Sequence, residues 1–164
     1  MATATYTPIS TQTLGSAAAS ITFSSIPGTY TDLRLVLTCT TSVADIVAMN
    51  FNSDAGINYS SCYIYGTGAT ASGGSFTGRS LCFLHGNGVT STTVPSNFEA
   101  DIFSYAGSTN KTYLATAGLD FNGSGTVELT CGLWRSTAAI TNIKLSLNNA
   151  NNFSTGTIAT LFGI

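Results

Sequence analysis

Charge is what this sequence lacks most. Only 7% of its 164 residues are charged, against about 25% in an ordinary soluble domain. The 5 basic and 7 acidic side chains give a formal net charge of −2. With no basic stripe, no nucleic acid is expected as a partner, since a duplex surface is built on phosphate contacts. There is one histidine, too few for a zinc site unless paired cysteines help. Long apolar runs are missing too. No window approaches 18 consecutive apolar residues, so no transmembrane helix and no membrane partner are expected. The start MATATYTPIS has neither the basic nor the apolar region of a secretory signal. Synthesis and folding in a cytoplasm are therefore expected, and the sequons at Asn58, Asn110, Asn122 and Asn152 have no reason to be glycosylated.

Cysteine is scarce and unpaired in sequence. Cys39, Cys62, Cys82 and Cys131 form no CxxC motif, and each lies in a strand-like run. Cys39 continues a face made by Leu33, Leu35 and Leu37. Cys131 continues Val127 and Leu129 and precedes Leu133. All four are expected to be reduced, buried thiols acting as small hydrophobes.

What is abundant is Thr, Ser, Asn and Gly. These solvate a surface through neutral hydrogen bonds and suit strands and turns. Little electrostatic repulsion then opposes contact between copies, so association with copies of itself or with a larger body is expected. Hydrophobic residues make up 43%, enough for a sizeable core in one domain spanning 1–164, with an N-terminal arm of about 1–15.

No amphipathic helix is visible. Short alternating runs are interrupted every eight to twelve residues or so, the spacing of sandwiches and barrels. Candidate strands are Tyr6–Ile9, Ser20–Ser24, Thr31–Thr40, Asp45–Phe51, Asn58–Tyr65 and Ser80–His85. Further candidates are Ser96–Tyr105, Thr112–Phe121, Thr126–Trp134, Ile140–Leu147 and Thr157–Phe162. Pro27-Gly28, Asp54-Ala55-Gly56, Asn87-Gly88, Gly107-Ser108 and Asn122-Gly123 punctuate them, the last as a hairpin turn. About ten strands without helices predict two packed antiparallel sheets, an all-β sandwich of jelly-roll type. The longest irregular piece, Gly66 to Gly78, reads as a flexible loop. It lacks a phosphate-loop motif. The stretch Asn148 to Asn152 reads as a second loop.

Candidate chemistry is thin. His85 stands at a strand end with no G-x-S-x-G elbow to supply a serine, and reads as a solvated or hydrogen-bonded bystander. Glu99 and Asp101 share one strand face. Phe98, Ala100 and Ile102 alternate with them as the core face, so the carboxylates are placed on the solvated face. Phe103 falls on that same side and breaks the alternation. Asp32 and Arg34 read as an exposed ion pair of little energetic weight. Asn52, Asp54 and Asn58 lack the distal Glu of a calcium loop, and a turn explains them. No catalytic residue, cofactor or metal is assigned, and the chain is not expected to be an enzyme. The aromatics stand out instead. Tyr59, Tyr63 and Tyr65 share one strand face and could stack on sugars, meet another subunit or lie in the core. Trp134, the only tryptophan, beside Arg135 at a strand end, is a candidate interface anchor or a core residue.

The order of certain phrases carries a resemblance. YTPIST, SAAASITFSSIPGTYTDLRLVL, MNFNSDAGINYSSCYIYGTG, AITNIKLSL and the closing GTIATLFGI resemble a group of tailed-bacteriophage virion proteins over nearly the whole chain. The ending Leu-Phe-Gly-Ile resembles the Leu-Tyr-Gly-Ile of such proteins, with Phe162 where Tyr is commoner. Many relatives carry this module at the end of a longer fibre or tail protein. Here it reads as the module alone. The resemblance therefore implies a stand-alone capsid decoration (cement) protein on the virion's outer surface, packing as a homotrimer on the major capsid protein or another virion protein. The alternative it implies is a tail-fibre or baseplate tip that binds host glycans. It implies no catalytic residues.

Overall fold

The computed structural model describes residues 5–87, 90–121 and 123–164. Strands numbered in chain order form two sheets, and no helix occurs among the described residues. The larger sheet has eight strands: β1 (Thr7–Thr13), β12 (Ile158–Gly163), β3 (Leu33–Cys39), β8 (Ser96–Phe103), β9 (Lys111–Asp120), β10 (Gly125–Trp134), β5 (Tyr59–Gly66) and β6 (Ala71–Arg79), in that lateral order. The smaller has four: β2 (Ser20–Phe23), β11 (Ile143–Leu147), β4 (Val47–Phe51) and β7 (Cys82–Phe83). Every neighbouring pair is antiparallel. The expected antiparallel sandwich is the fold.

Period-two alternation builds the core. Leu33, Leu35, Leu37 and Cys39 of β3 are buried, as are Phe98, Ala100 and Ile102 of β8 and Tyr113, Ala115, Ala117 and Leu119 of β9. They pack against Ile21 and Phe23 of β2, Val47, Met49 and Phe51 of β4, and Ile143, Leu145 and Leu147 of β11. Each large apolar side chain removed from water in this layer contributes about 1.5–3 kcal/mol.

All eleven strands expected from the sequence are present, with ends shifted by a few residues. One was missed. Gly66 to Gly78 is not a long loop: Ala71–Arg79 is β6, paired with β5 along its length. Gly, Ser and Ala are weak strand formers, but β5 offers an unpaired row of backbone groups, and pairing outweighs propensity. The connection is a tight turn in which Thr67 N donates to Thr70 O at 3.0 Å and Gly68 adopts a φ of +82°, a region open to glycine. The β9–β10 hairpin is as expected, with Asn122 outside the described residues. Gly88, expected in a turn, also lies outside them.

Polar contacts fix the connections. Asp45 is buried and accepts from Ile46 N (2.7 Å), Asn149 N (3.0 Å), Asn149 Nδ2 (2.9 Å) and Asn151 Nδ2 (2.9 Å). The asparagine-rich segment is thus tied to the smaller sheet. Lys111 is buried and donates to the carbonyl of Gly107 at 2.8 Å and to that of Thr109. It closes the turn between β8 and β9, and burial lowers its pKa.

Candidate interaction surface

The outer face of the larger sheet divides into two halves. On β3 and β8 it is polar. Arg34 grips Asp101 with two bonds of 2.6 Å, while Glu99, Asn97 and Thr38 lie exposed beside them. The expected Asp32–Arg34 pair is therefore corrected. Arg34 reaches across the β3–β8 register to Asp101, and Asp32 accepts from Ser104 N at 2.6 Å. Glu99 and Asp101 stand on the solvated side, and Phe103 is exposed there too, with no register shift in β8.

On β10 and β5 the polarity is inverted. Val127 is 68% exposed, Ile64 62% and Leu129 37%, while Thr126, Glu128 and Thr130 on the opposite face of β10 are buried. The β10–β5 register sets Leu129 opposite Ile64 and Cys131 opposite Cys62. Cys62 and Cys131 are exposed, which corrects the expectation that all four thiols are buried. Alternation put Cys131 with Val127 and Leu129 correctly, but that side faces out.

The inward polarity of β10 has a local cause. β7 and the segment after it lie beneath this part of the sheet. Glu128 Oε2 accepts from Gly86 N (2.8 Å) and Asn87 N (3.0 Å), and Tyr113 Oη donates to Phe83 O at 2.8 Å. Burial raises the Glu128 pKa, and those two backbone N–H groups lower it in part. Beneath β10 the backbone N–H groups of Gly86 and Asn87 take Glu128 as their partner. His85 is fully buried in the same region and accepts from Val47 N at its Nε2 (2.9 Å). Burial holds its pKa down at about 4. It is a hydrogen-bonded structural residue.

The aromatic row divides. Tyr59 and Trp134 are buried and stack at 6.2 Å with an interplanar angle of 11°. For these two, of the alternatives left open, the core reading holds and contact with a ligand or partner does not, because the Phe51–Tyr59–Trp134 cluster joins the two sheets. Tyr63 and Tyr65 are half-buried and stack at 6.2 Å, and Tyr63 stacks on Phe76 at 5.5 Å. Arg79 lies over Phe76 and Phe83. Arg135 is exposed, but its guanidinium donates to Ser60 Oγ (2.8 Å) and Ile57 O (3.0 Å), bracing the start of β5. Among the described residues no group of three His, Cys, Asp or Glu side chains is placed to hold a metal.

No family model matches this chain, and no curated protein matches it.

Proposed function

We propose that this chain is a structural component of a bacteriophage virion, a decoration protein whose copies pack as a homotrimer on the head and stabilise it. The observation that carries the reading is the inverted polarity of β5 and β10. Ile64, Val127 and Leu129 are exposed while Glu128 and Thr130 are buried. An apolar stripe on a nearly uncharged surface is the composition of a packing face. Lateral strand order supports the finer reading of the fold. The run β1-β12-β3-β8 beside β2-β11-β4-β7 is the order of a jelly roll, with the β5–β6 and β9–β10 hairpins added to one edge. The sequence resemblance supplies the virion setting. Binding across neighbouring capsid subunits would favour the assembled shell by mass action.

The test has two parts. Sedimentation of the purified chain is expected to give a trimer. Antibody against the chain, viewed by electron microscopy on intact virions, is expected to label the head. Label absent from virions would overturn the reading, and label on the tail alone would replace it with the second one. That second reading, a fibre tip that stacks on host glycans, is favoured by the half-buried Tyr63–Tyr65–Phe76 stack. It predicts that Tyr65→Ala abolishes adsorption to the host.

A further inference from the structure

Cys131 and Cys62 are direct partners in the β10–β5 register, and both are free and exposed on one face. Their backbone relation follows from a neighbouring pair. Arg135 N donates to Asn58 O at 2.9 Å, in line with the register that sets Trp134 opposite Tyr59. Hydrogen-bonded and open pairs alternate along an antiparallel ladder. Leu133 with Ser60, and Cys131 with Cys62, are therefore hydrogen-bonded pairs. Such pairs hold their Cα atoms about 5.5 Å apart, inside the range of about 4.4–6.8 Å that a disulfide spans. Their Cβ atoms start at about 5 Å or more and must close to roughly 4 Å. Closing that gap takes a local shift of β5 against β10, which the bond would hold as strain.

We propose that Cys62 and Cys131 are a dithiol redox site, closed to an intrachain disulfide by a low-molecular-weight disulfide such as oxidised glutathione. The thiolate of one cysteine attacks a glutathione sulfur, forming a mixed disulfide and releasing one glutathione thiolate. The thiolate of the other attacks the protein sulfur of that mixed disulfide. The intrachain bond forms and the second glutathione leaves as thiolate. Two protein thiols are oxidised, one glutathione disulfide is reduced, and two protons are released. Because the Cβ atoms must be pulled together and the bond would be exposed, it is strained and readily reversed by reduced glutathione. Cys39 and Cys82 are internal controls. Both are buried, and burial pushes the Cys39 thiol up to about 12 and the Cys82 thiol well above its ordinary value, so neither supplies thiolate.

The closure does not rest on the assembly reading, although copies packed on this face would cover both thiols. The purified chain is therefore treated with oxidised glutathione at a dilution where sedimentation shows single copies. If copies persist, the Ile64→Lys/Leu129→Glu variant, whose opposite charges face each other across the register, is used. Reactive thiols are then alkylated in denaturant and the intact mass is measured. The expected product carries two alkyl groups, has lost two hydrogens, and yields a peptide joining Cys62 to Cys131. Cys131→Ser is expected to stop at a persistent glutathione adduct on Cys62. Four alkylated thiols at every glutathione ratio, stable adducts on both cysteines, or covalent dimers would each overturn the proposal. Failure of the assembly reading would appear separately, as a single copy at all concentrations with the disulfide still forming.

Discussion

Trp134 Nε1 donates to Asp54 Oδ2 at 2.6 Å, joining the end of β10 to the turn between β4 and β5. The same carboxylate accepts from Asn58 Nδ2 at 2.9 Å and Gly56 N at 2.8 Å. The indole bond, then the Asn58 bond, lower the Asp54 pKa from its ordinary value. Asp54→Ala leaves the buried indole N–H without a partner, and is expected to cost about 1.5–3 kcal/mol, the range for a hydrogen bond to a charged group. Urea unfolding followed by Trp134 fluorescence measures it directly, since the chain has one Trp. No change in midpoint would mean that water replaces the carboxylate at no cost.

A pH dependence follows from His85. Its folded-state pKa is about 4 against an ordinary 6.5, so the unfolded chain binds the extra proton. Stability from this group is complete above about pH 6.5 and falls as pH drops toward 4, by about 3 kcal/mol in all. Glu128 acts in the opposite sense. Its raised pKa means that the folded state holds the proton more tightly, so lowering pH through that region adds stability. Comparing denaturant midpoints from pH 7 to 4 in the native chain and in His85→Gln isolates the histidine. The native curve is expected to fall more steeply, and parallel curves would contradict the assignment.

The glycines of the two central strands are expected to behave differently. A Cβ at Gly132 would meet the Tyr113 ring at 2.0 Å, whereas one at Gly118 meets nothing within 4 Å. Gly132→Ala must displace a buried ring that donates to Phe83 O, and is expected to cost about 1–3 kcal/mol, as overpacking does. Gly118→Ala is expected to be neutral or slightly stabilising, because it restricts the unfolded chain. Thermal unfolding of the two variants checks the contrast.

The inverted face predicts a split between stability and association. Ile64→Lys with Leu129→Glu replaces two exposed side chains that face each other across the β10–β5 register with an opposite-charge pair, so thermal stability of the single copy is expected to shift by no more than about 0.5 kcal/mol for each. Association is expected to be lost, as seen by sedimentation. A variant that still assembles would move the packing face elsewhere.

The strands were legible because alternation and turn residues speak locally. Leu33, Leu35, Leu37 and Cys39 needed no partner to be identified as a core face. β6 was not legible, because Ala71–Arg79 becomes a strand only through the free edge of β5, a long-range fact. The burial of Cys62 and Cys131 was misjudged for a related reason. Alternation fixes which residues share a face but not which face meets the core. On β10 the deciding element is the segment Gly86–Asn87, whose N–H groups draw Glu128 inward and turn Leu129 and Cys131 out. The Asp45 contacts with Asn149 and Asn151 span about a hundred positions and leave no trace in local pattern. The Tyr row was legible as a row, but only the packing of Tyr59 against Trp134 divides it into a buried residue and an accessible pair.

The pairing of β1 with β12 has a mechanical consequence. Thr7 lies opposite Gly163 and Thr13 opposite Ile158. A force pulling residues 7 and 163 apart therefore acts across the ladder rather than along it. Hydrogen bonds would break one pair after another from that corner, instead of resisting together as they do when strands are sheared lengthwise. β1 would peel away at low force while β12 stays bound to β3. Tension applied at that corner would thus be relieved by a short, reversible extension before the sandwich itself is strained.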